Sequence, residues 1–404
     1  MLLIKVAWRN IWRNKKRSAI IIAAIGIGLF AGIFLIAFYN GMIEERIRMA
    51  IEQEISHLQL HHPEFNKDHD PAFIIPQGPS VLQSIRSNPD VKAATGRIAL
   101  YGMIASASGS SGVRINGIDP ESEQAVTGIK NKLIAGNYFQ NDRKNEILIS
   151  RRLIDKLKLN LRNKTVLTFQ DHEGNLASGA FKISGIFKTS NGPYDEGNIF
   201  IRIHDIDSLC GLVGAYHEIA VQLHSNLALD KSQQLLQKNF PDLLTENWMQ
   251  ISPELELTVS VTDQMVLIFM GIILLALAFG IINTMMMSVL ERTREIGMLL
   301  ALGMTRFRIF GMIVLETIFL VLAGSPLGIA VALVAIRIAS HTGIQFEKFK
   351  TVYESFGYGD TVYPVLHLPQ FLLILALVVI TALLSAVFPA RSAFKINPVT
   401  SIRK

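Results

Sequence analysis

The chain has 404 residues, half of them apolar and 18% charged, with a formal net charge of +6. Spread evenly, that composition would fit a soluble protein. The apolar residues are instead gathered into four runs long enough for helices that cross a bilayer, which needs about 20 apolar residues per crossing. The basic excess lies in short segments beside those runs and forms no stripe on a soluble face, which excludes a nucleic-acid-binding reading.

Residues 1–17 carry Lys5, Arg9, Arg13, Lys15, Lys16 and Arg17 and no acid. Lys5, Arg9, Arg13 and Lys16 recur on one helical face, with Ile4, Trp8, Ile11 and Trp12 on the other. This spacing predicts an amphipathic helix at the membrane surface. The first uncharged run, 18–43, is longer than the apolar core of a signal peptide, about 7–15 residues, and no small-x-small site follows it. It reads as an uncleaved membrane helix.

Residues 44–263 read as an α+β domain. EERIRMAIEQEIS continues the first membrane helix, and HLQLHHP alternates like a strand. Strands are predicted at Arg97–Ser106 and Val113–Ile118 around a flexible SASGSSG, and at Thr165–Phe169 and Phe181–Phe187 around the turn DHEGN, while Glu146–Ile149 is apolar and short. Further strands are predicted at Ile199–Ile203 and Glu218–Leu223. Arg151–Leu159 and Leu227–Asn239 have helical spacing.

The second run is 264–290. A charged segment, 291–308, separates it from the third run, 309–336. A loop, 337–367, leads to the fourth run, 368–390, and a basic tail, 391–404, follows. The expected fold is therefore an integral membrane α-helical protein with four transmembrane helices. A large extracytoplasmic α+β domain lies between its first and second spans. The domain has 22 basic against 27 acidic residues, whereas the N-terminal segment, the 291–308 loop and the tail are net basic. By the positive-inside rule, both termini and the 291–308 loop are cytoplasmic.

Residues 291–303 read ERTREIGMLLALG. Charges of alternating sign follow directly on an uncharged span, and Ile296, Leu299, Leu300 and Leu302 continue as an apolar stripe. A short helix between two spans, lying along the membrane, is a docking element for a cytoplasmic partner. A charged stop after a span is the simpler alternative, but it needs no acid and no stripe.

Glu316 is the ionisable residue set well inside an apolar run, where an unpaired charge costs about 2.5–3.5 kcal/mol. A structural polar contact is the favoured reading, and substrate or proton handling the alternative. Gly324 and Gly328 form a small-xxx-small pair around Pro326, which is expected to kink the helix. Gly28 and Gly32 stand in the same relation, and such pairs let helices approach closely.

No GxxxxGK[ST], HExxH, GxSxG or CxxC motif occurs, so no nucleotide hydrolysis, other catalysis or metal chemistry is expected of the chain. His57, His61 and His62 are read as packed or solvated histidines rather than metal ligands. The single cysteine, Cys210, reads as a small buried hydrophobe.

NTMMMSVLERTREIGMLLALGMTRFRI resembles the signature of the FtsX-like, MacB-type ABC permeases, a group that includes macrolide-exporter and lipoprotein-releasing permeases. The resemblance implies that Glu291, Arg292, Arg294, Glu295, Gly297, Ala301, Leu302 and Gly303 form a cytoplasmic coupling helix that meets a separate ABC ATPase subunit. It also implies that this subunit, and not this chain, binds ATP, and that the chain holds no cofactor.

Glu316 with GSPLG is similar to the family's third span. FPARSAFKINPVTSIRK, with Pro389, Ala390, Ala393, Pro398 and Val399, is similar to its C-terminal ending, and WRNIWRNKKRS fits its N-terminus. HLQLHHPEF and the 337–367 loop, which includes FGYGDTVYPVL, resemble the lipoprotein-releasing branch. The resemblance implies a bacterial inner-membrane location, a second permease copy or homologous permease, membrane lipids as surroundings, and a possible periplasmic carrier or adaptor. Efflux of peptides or drugs and transmembrane signalling are the competing functions.

Overall fold

The computed structural model describes residues 2–13, 15–140, 143–346, 348, 352–353, 357–359 and 361–394. The chain divides into two units. One comprises Met1–Ile43, Val259–Gln345 and Thr361–Lys404, and the other comprises Glu44–Thr258 and Phe346–Asp360.

The first unit is helical. Its elements are α1 (Leu2–Arg13), α2 (Lys15–Ala50), α3 (Pro253–Glu291), α4 (Thr293–Ala301), α5 (Arg306–Thr342) and α6 (Leu368–Ala393), with α2 and α3 contributing residues to both units. Among the described residues, four helical stretches are long and apolar enough to cross a membrane: Ser18–Ile55, Pro253–Glu291, Arg306–Thr342 and Leu368–Ala393. The helices outrun their apolar stretches because polar residues at their ends still make intrahelical bonds.

Along α2, Ile21, Ile25, Leu29 and Ile33 recur every four residues and are fully buried, while Ile20 and Ile27 face outward. A helix apolar all round with one packed face is suited to lipid on the other. After α5, Ile344–Gln345 pairs antiparallel with Thr361–Val362. The C-terminal motif residues Pro389, Ala390 and Ala393 are buried on α6, whereas Pro398 and Val399 lie outside the described residues.

The second unit is built on ten strands: β1 (Leu58–His61), β2 (Val91–Ser106), β3 (Gly109–Ile118), β4 (Leu133–Gly136), β5 (Glu146–Ser150), β6 (Lys164–Gln170), β7 (Leu176–Phe187), β8 (Asn198–Arg202), β9 (Glu218–Leu223) and β10 (Leu244–Asn247). The neighbour order is β10-β1-β9-β2-β3-β8-β5-β7-β4, with β6 bonded to both β2 and β7. That last strand closes β2, β3, β8, β5, β7 and β6 into a ring. Closure removes free edges. Inward residues such as Leu100, Ile115, Ile149, Phe181, Ile199 and Leu167 fill its core.

β2 serves both halves of the unit. Val91–Arg97 pairs with β9, and Gly102–Ala105 pairs with β6. A Cβ at Gly102 would stand 2.5 Å from the Thr168 carbonyl oxygen, so only glycine admits the crossing strand there.

Several sequence expectations are corrected. SASGSSG is not a flexible connection, because β2 runs to Ser106 and β3 starts at Gly109. Small polar residues on an exposed hairpin tip resemble a loop in composition while pairing as strands. β2 begins at Val91 and not Arg97, and β7 at Leu176 and not Phe181. Helices at Gly78–Arg86 and Pro120–Thr127 and strands β4 and β10 were not anticipated. The second of those helices carried a readable start, since Asp119 caps it through the Ser122 amide and proline follows at its first position.

Candidate functional site

The charged segment after α3 is broken at Arg292. α3 ends at Glu291, Arg292 leaves helical geometry (φ −100°, ψ 15°), and α4 starts at Thr293. The Thr293 hydroxyl donates to the Leu290 carbonyl at 2.7 Å. The break turns the Arg292 guanidinium inward, where it is buried. Its Nη1 donates to Glu316 Oε1 at 3.0 Å, and its Nη2 donates to the Asn10 carbonyl at 3.0 Å. Asn10 Nδ2 donates to the same Glu316 oxygen at 2.6 Å. One buried ion pair thus joins α1, α5 and the hinge before α4.

A second pair, Arg13 with Glu295, links α1 to α4 at a half-exposed position. Exposed pairs contribute little, about 0–1 kcal/mol. The buried cluster is the stronger constraint, because removing one partner strands the other charge.

α4 ends in a Schellman motif. Met304 N–H donates to the Leu299 carbonyl, Gly303 N–H donates to the Leu300 carbonyl, and Gly303 takes φ +91°. Glycine adopts that left-handed backbone without strain. Ile296 and Gly297 pack inward, whereas Glu291, Arg294, Glu295, Met298, Ala301, Leu302 and Gly303 are exposed. A cavity of about 280 Å³ lies beside α4, lined by Asn10, Arg13, Arg292, Glu295, Leu302 and Glu316 among others. Six of the eight expected docking residues are therefore exposed on α4 or directly beside its ends, whereas Arg292 and Gly297 are buried.

Asn10 was missed from the sequence. It belongs to neither the basic nor the apolar stripe of α1, and that misfit was the only signal.

Gly324 and Gly328 lie against α2. A Cβ at Gly328 would stand 2.5 Å from the Gly26 carbonyl oxygen, and one at Gly324 would stand 3.0 Å from that of Ile22. Their counterpart is therefore Gly26. Gly28 and Gly32 meet Leu277 and Met270 of α3 at ordinary or slightly tight distances. α5 continues through Pro326, which leaves one backbone acceptor without its helical donor.

In the outer unit, His57 Nδ1 accepts from the Leu223 amide at 3.2 Å, and His62 stacks on Phe73. Among the described residues no three His, Cys, Asp or Glu side chains are placed to hold a metal. Cys210 is buried, and burial pushes its thiol up to about 12.

The same unit contains a buried charge cluster that the sequence reading passed over. Arg97 binds Glu123 bidentately, at 2.7 and 2.8 Å, and also binds Glu218. Arg114 closes the cluster on the second Glu218 oxygen. Burial alone would raise the Glu218 carboxyl, but Arg114 and Arg97 outweigh it and hold it at about 2. Arg97 and Glu218 face each other across β2 and β9. The readable signal was a charged residue at an inward position of otherwise apolar strands.

A family model described as a MacB-like periplasmic core domain matches residues 18–239, and one described as an FtsX-like permease C-terminal region matches residues 267–398. An uncharacterized ABC transporter permease of Methanocaldococcus jannaschii, MJ1507, is 30% identical over 232 residues, 55% of this chain and 55% of that one. The uncharacterized ABC transporter permease YknZ of Bacillus subtilis is 23% identical over 358 residues, 81% of this chain and 84% of its own. The macrolide export ATP-binding/permease protein MacB of Escherichia coli is 28% identical over 232 residues, 54% of this chain and 34% of its own. The match spans about half the length of MJ1507 and about a third of MacB.

Proposed function

This chain belongs to the FtsX-like ABC transporter permeases with a MacB-like periplasmic core domain, and from that premise we propose that it converts the closure of a separate cytoplasmic ATPase into movement of its outer domain. The observation that carries the reading is the mounting of α4. Its outer face is exposed, while its base is tied to α1 and α5 through Arg292, Glu316 and Asn10. A push on Arg294, Glu295 or Leu302 would be passed to two other helices and not absorbed in a loose loop. In this reading α4 and both termini are cytoplasmic, as the distribution of Lys and Arg requires. Two ATPases require a second permease copy or a homologous permease, and the outer domain takes a periplasmic carrier or adaptor.

The test is co-purification with the companion ATPase and measurement of its activity. Arg294→Glu is expected to lower permease-stimulated ATP hydrolysis at least about tenfold, as loss of a charge-assisted contact of roughly 1.5–3 kcal/mol would. Its thermal stability should stay at the wild-type value. Failure to recover any ATPase, or full stimulation of ATP hydrolysis by the variant, would overturn the reading.

The cargo we propose is lipoprotein or a related lipidic molecule taken from the outer leaflet of a bacterial inner membrane. HLQLHHPEF, which supplies β1, and the long 337–367 loop support it. A second reading, efflux of drugs or peptides, is favoured by the likeness to the macrolide export protein. A deletion strain separates them. Retained lipoproteins with normal drug tolerance support the first, and drug sensitivity with normal lipoprotein sorting supports the second.

A further inference from the structure

The outer unit holds a polar cavity of about 390 Å³ on the face of strands β10, β1, β9, β2 and β3. Its size falls in the range of small-ligand pockets, about 300–1,000 Å³. Strand register brings its residues together. Gln59 stands opposite Glu246 across β1 and β10, His61 stands opposite Glu218 across β1 and β9, and Tyr101 stands opposite Arg114 across β2 and β3.

The charges on its inner wall balance. Glu218 is held by Arg114 and Arg97, and Arg97 also neutralises Glu123. At the rim, Glu246 is bonded by the Asn66 amide, and burial raises its carboxyl. The inner wall therefore offers no uncompensated charge, and the Glu246 carboxylate at the rim, which has a neutral amide and no cation beside it, disfavours an anionic ligand.

Its unmet hydrogen-bonding groups are specific. Gln59 Nε2 donates to the Ile55 carbonyl at 2.6 Å, so the Gln59 oxygen faces His61 Nε2 at 3.0 Å. That nitrogen must carry the proton, which leaves His61 Nδ1 as a bare acceptor. Burial holds the ring neutral, its conjugate acid down at about 4. His61 Nδ1 is buried and has no partner among the described residues, and the same is true of the Arg114 Nε–H donor. Buried polar groups left unmet are costly, so such a pair marks a place for a ligand that both donates and accepts.

Ring faces complete the lining. Phe65 stacks on His61 at 5.7 Å, and Tyr101, half-exposed, stacks on His69 at 4.4 Å.

We propose that this cavity binds an uncharged, hydroxyl-rich ring, a hexose or N-acetylhexosamine unit of a free glycan or of a glycolipid headgroup. Each hydroxyl donates and accepts, so neighbouring hydroxyls meet the His61 lone pair and the Arg114 N–H together. The ring's C–H face covers Tyr101. Gln250, Ile251 and Pro253 also line the cavity, and Pro253 is the first residue of α3. The site does not depend on the ATPase reading, and its test uses no nucleotide.

Saturation-transfer NMR on the full chain in lipid nanodiscs provides that test. The probes are glucose and N-acetylglucosamine, each free or carried on a nanodisc lipid, with glutamate, choline and an alanine dipeptide as controls. Transfer to sugar ring protons is expected, in the free arm, the lipid arm or both, with about tenfold weaker binding in His61→Phe and in Tyr101→Ala. Tyr101→Ala removes only a half-exposed ring and leaves the buried ion pairs whole, so it reports on binding without threatening the fold. No sugar signal in either arm, equal signals in both variants, or signals from the charged or dipeptide controls without sugar would each overturn the proposal.

Discussion

Arg292 and Glu316 are a pair whose removal is more telling than its presence. Glu316→Ala leaves the Arg292 guanidinium buried without its carboxylate, which costs about 3–5 kcal/mol. The expected result is a marked fall in melting temperature of the detergent-solubilised chain. Arg292→Met with Glu316→Leu together should recover most of it, because an apolar pair of similar volume has no charge to strand. A double variant as unstable as the single would show that the pair does more than satisfy itself.

Glu218 supplies a pH dependence. Its folded carboxyl is held at about 2 against an ordinary 4.5. A depressed carboxylate stabilises the fold above the unfolded value and loses that contribution as pH falls through the folded one. The loss, on the order of 3 kcal/mol, is expected between about pH 4.5 and 2. His61, held neutral down to about 4 by burial, acts in the same direction between pH 6.5 and 4. Asp195, pushed up to about 6 by burial against its bonds from Thr189, opposes it between pH 6 and 4. Protection factors of the β2 and β9 amides in the full chain, corrected for intrinsic exchange, should therefore fall most steeply between about pH 4.5 and 2. Glu218→Gln should remove that lower transition.

At the scale of elements, glycine position separates close helix contact from mere spacing. Gly28→Ala meets its nearest neighbour, Leu277, at 3.6 Å, an ordinary contact. Gly328→Leu drives its Cβ against the Gly26 backbone and should cost more than 2 kcal/mol by overpacking, read as lost folded yield or a lower melting temperature. Equal tolerance of both would contradict the α2–α5 contact.

Spacing alone flagged Gly28, Gly32, Gly324 and Gly328 but could not say which face each helix turns inward, and so it missed Gly26. The four spans, β9 and the turn between β6 and β7 were legible because hydropathy and turn residues are local signals. The closing of β6 onto β2 was not, since it joins residues far apart in sequence and depends on Gly102, one glycine among 29. Of the candidate site, the alternation of charge in α4 was visible. The inward turn of Arg292 was not, because it is fixed by Asn10 and Glu316 on other helices.

At the scale of the whole molecule, charge sidedness is the property that makes the reading testable. A protease site placed after residue 404 and another placed before residue 1 should both be cut only in inside-out vesicles. Engineered sites in the exposed turn around Glu173 should be cut only in right-side-out ones. Cutting of the two termini from opposite faces would refute an even number of crossings. The MacB-like core-domain match runs from residue 18 to residue 239, so it takes in the first span together with most of the α+β unit.

β1 follows the first membrane helix almost at once, yet both of its neighbours, β9 and β10, are encoded near the far end of the outer domain. While the chain is being made and exported, β1 must wait with two bare edges until β9 has emerged, and with one until residue 247 has emerged. Bare edges recruit other strands. Biogenesis thus carries a window of vulnerability set by chain order alone. A nascent chain stalled before residue 218 is the species an extracytoplasmic chaperone would have to protect, or a protease remove.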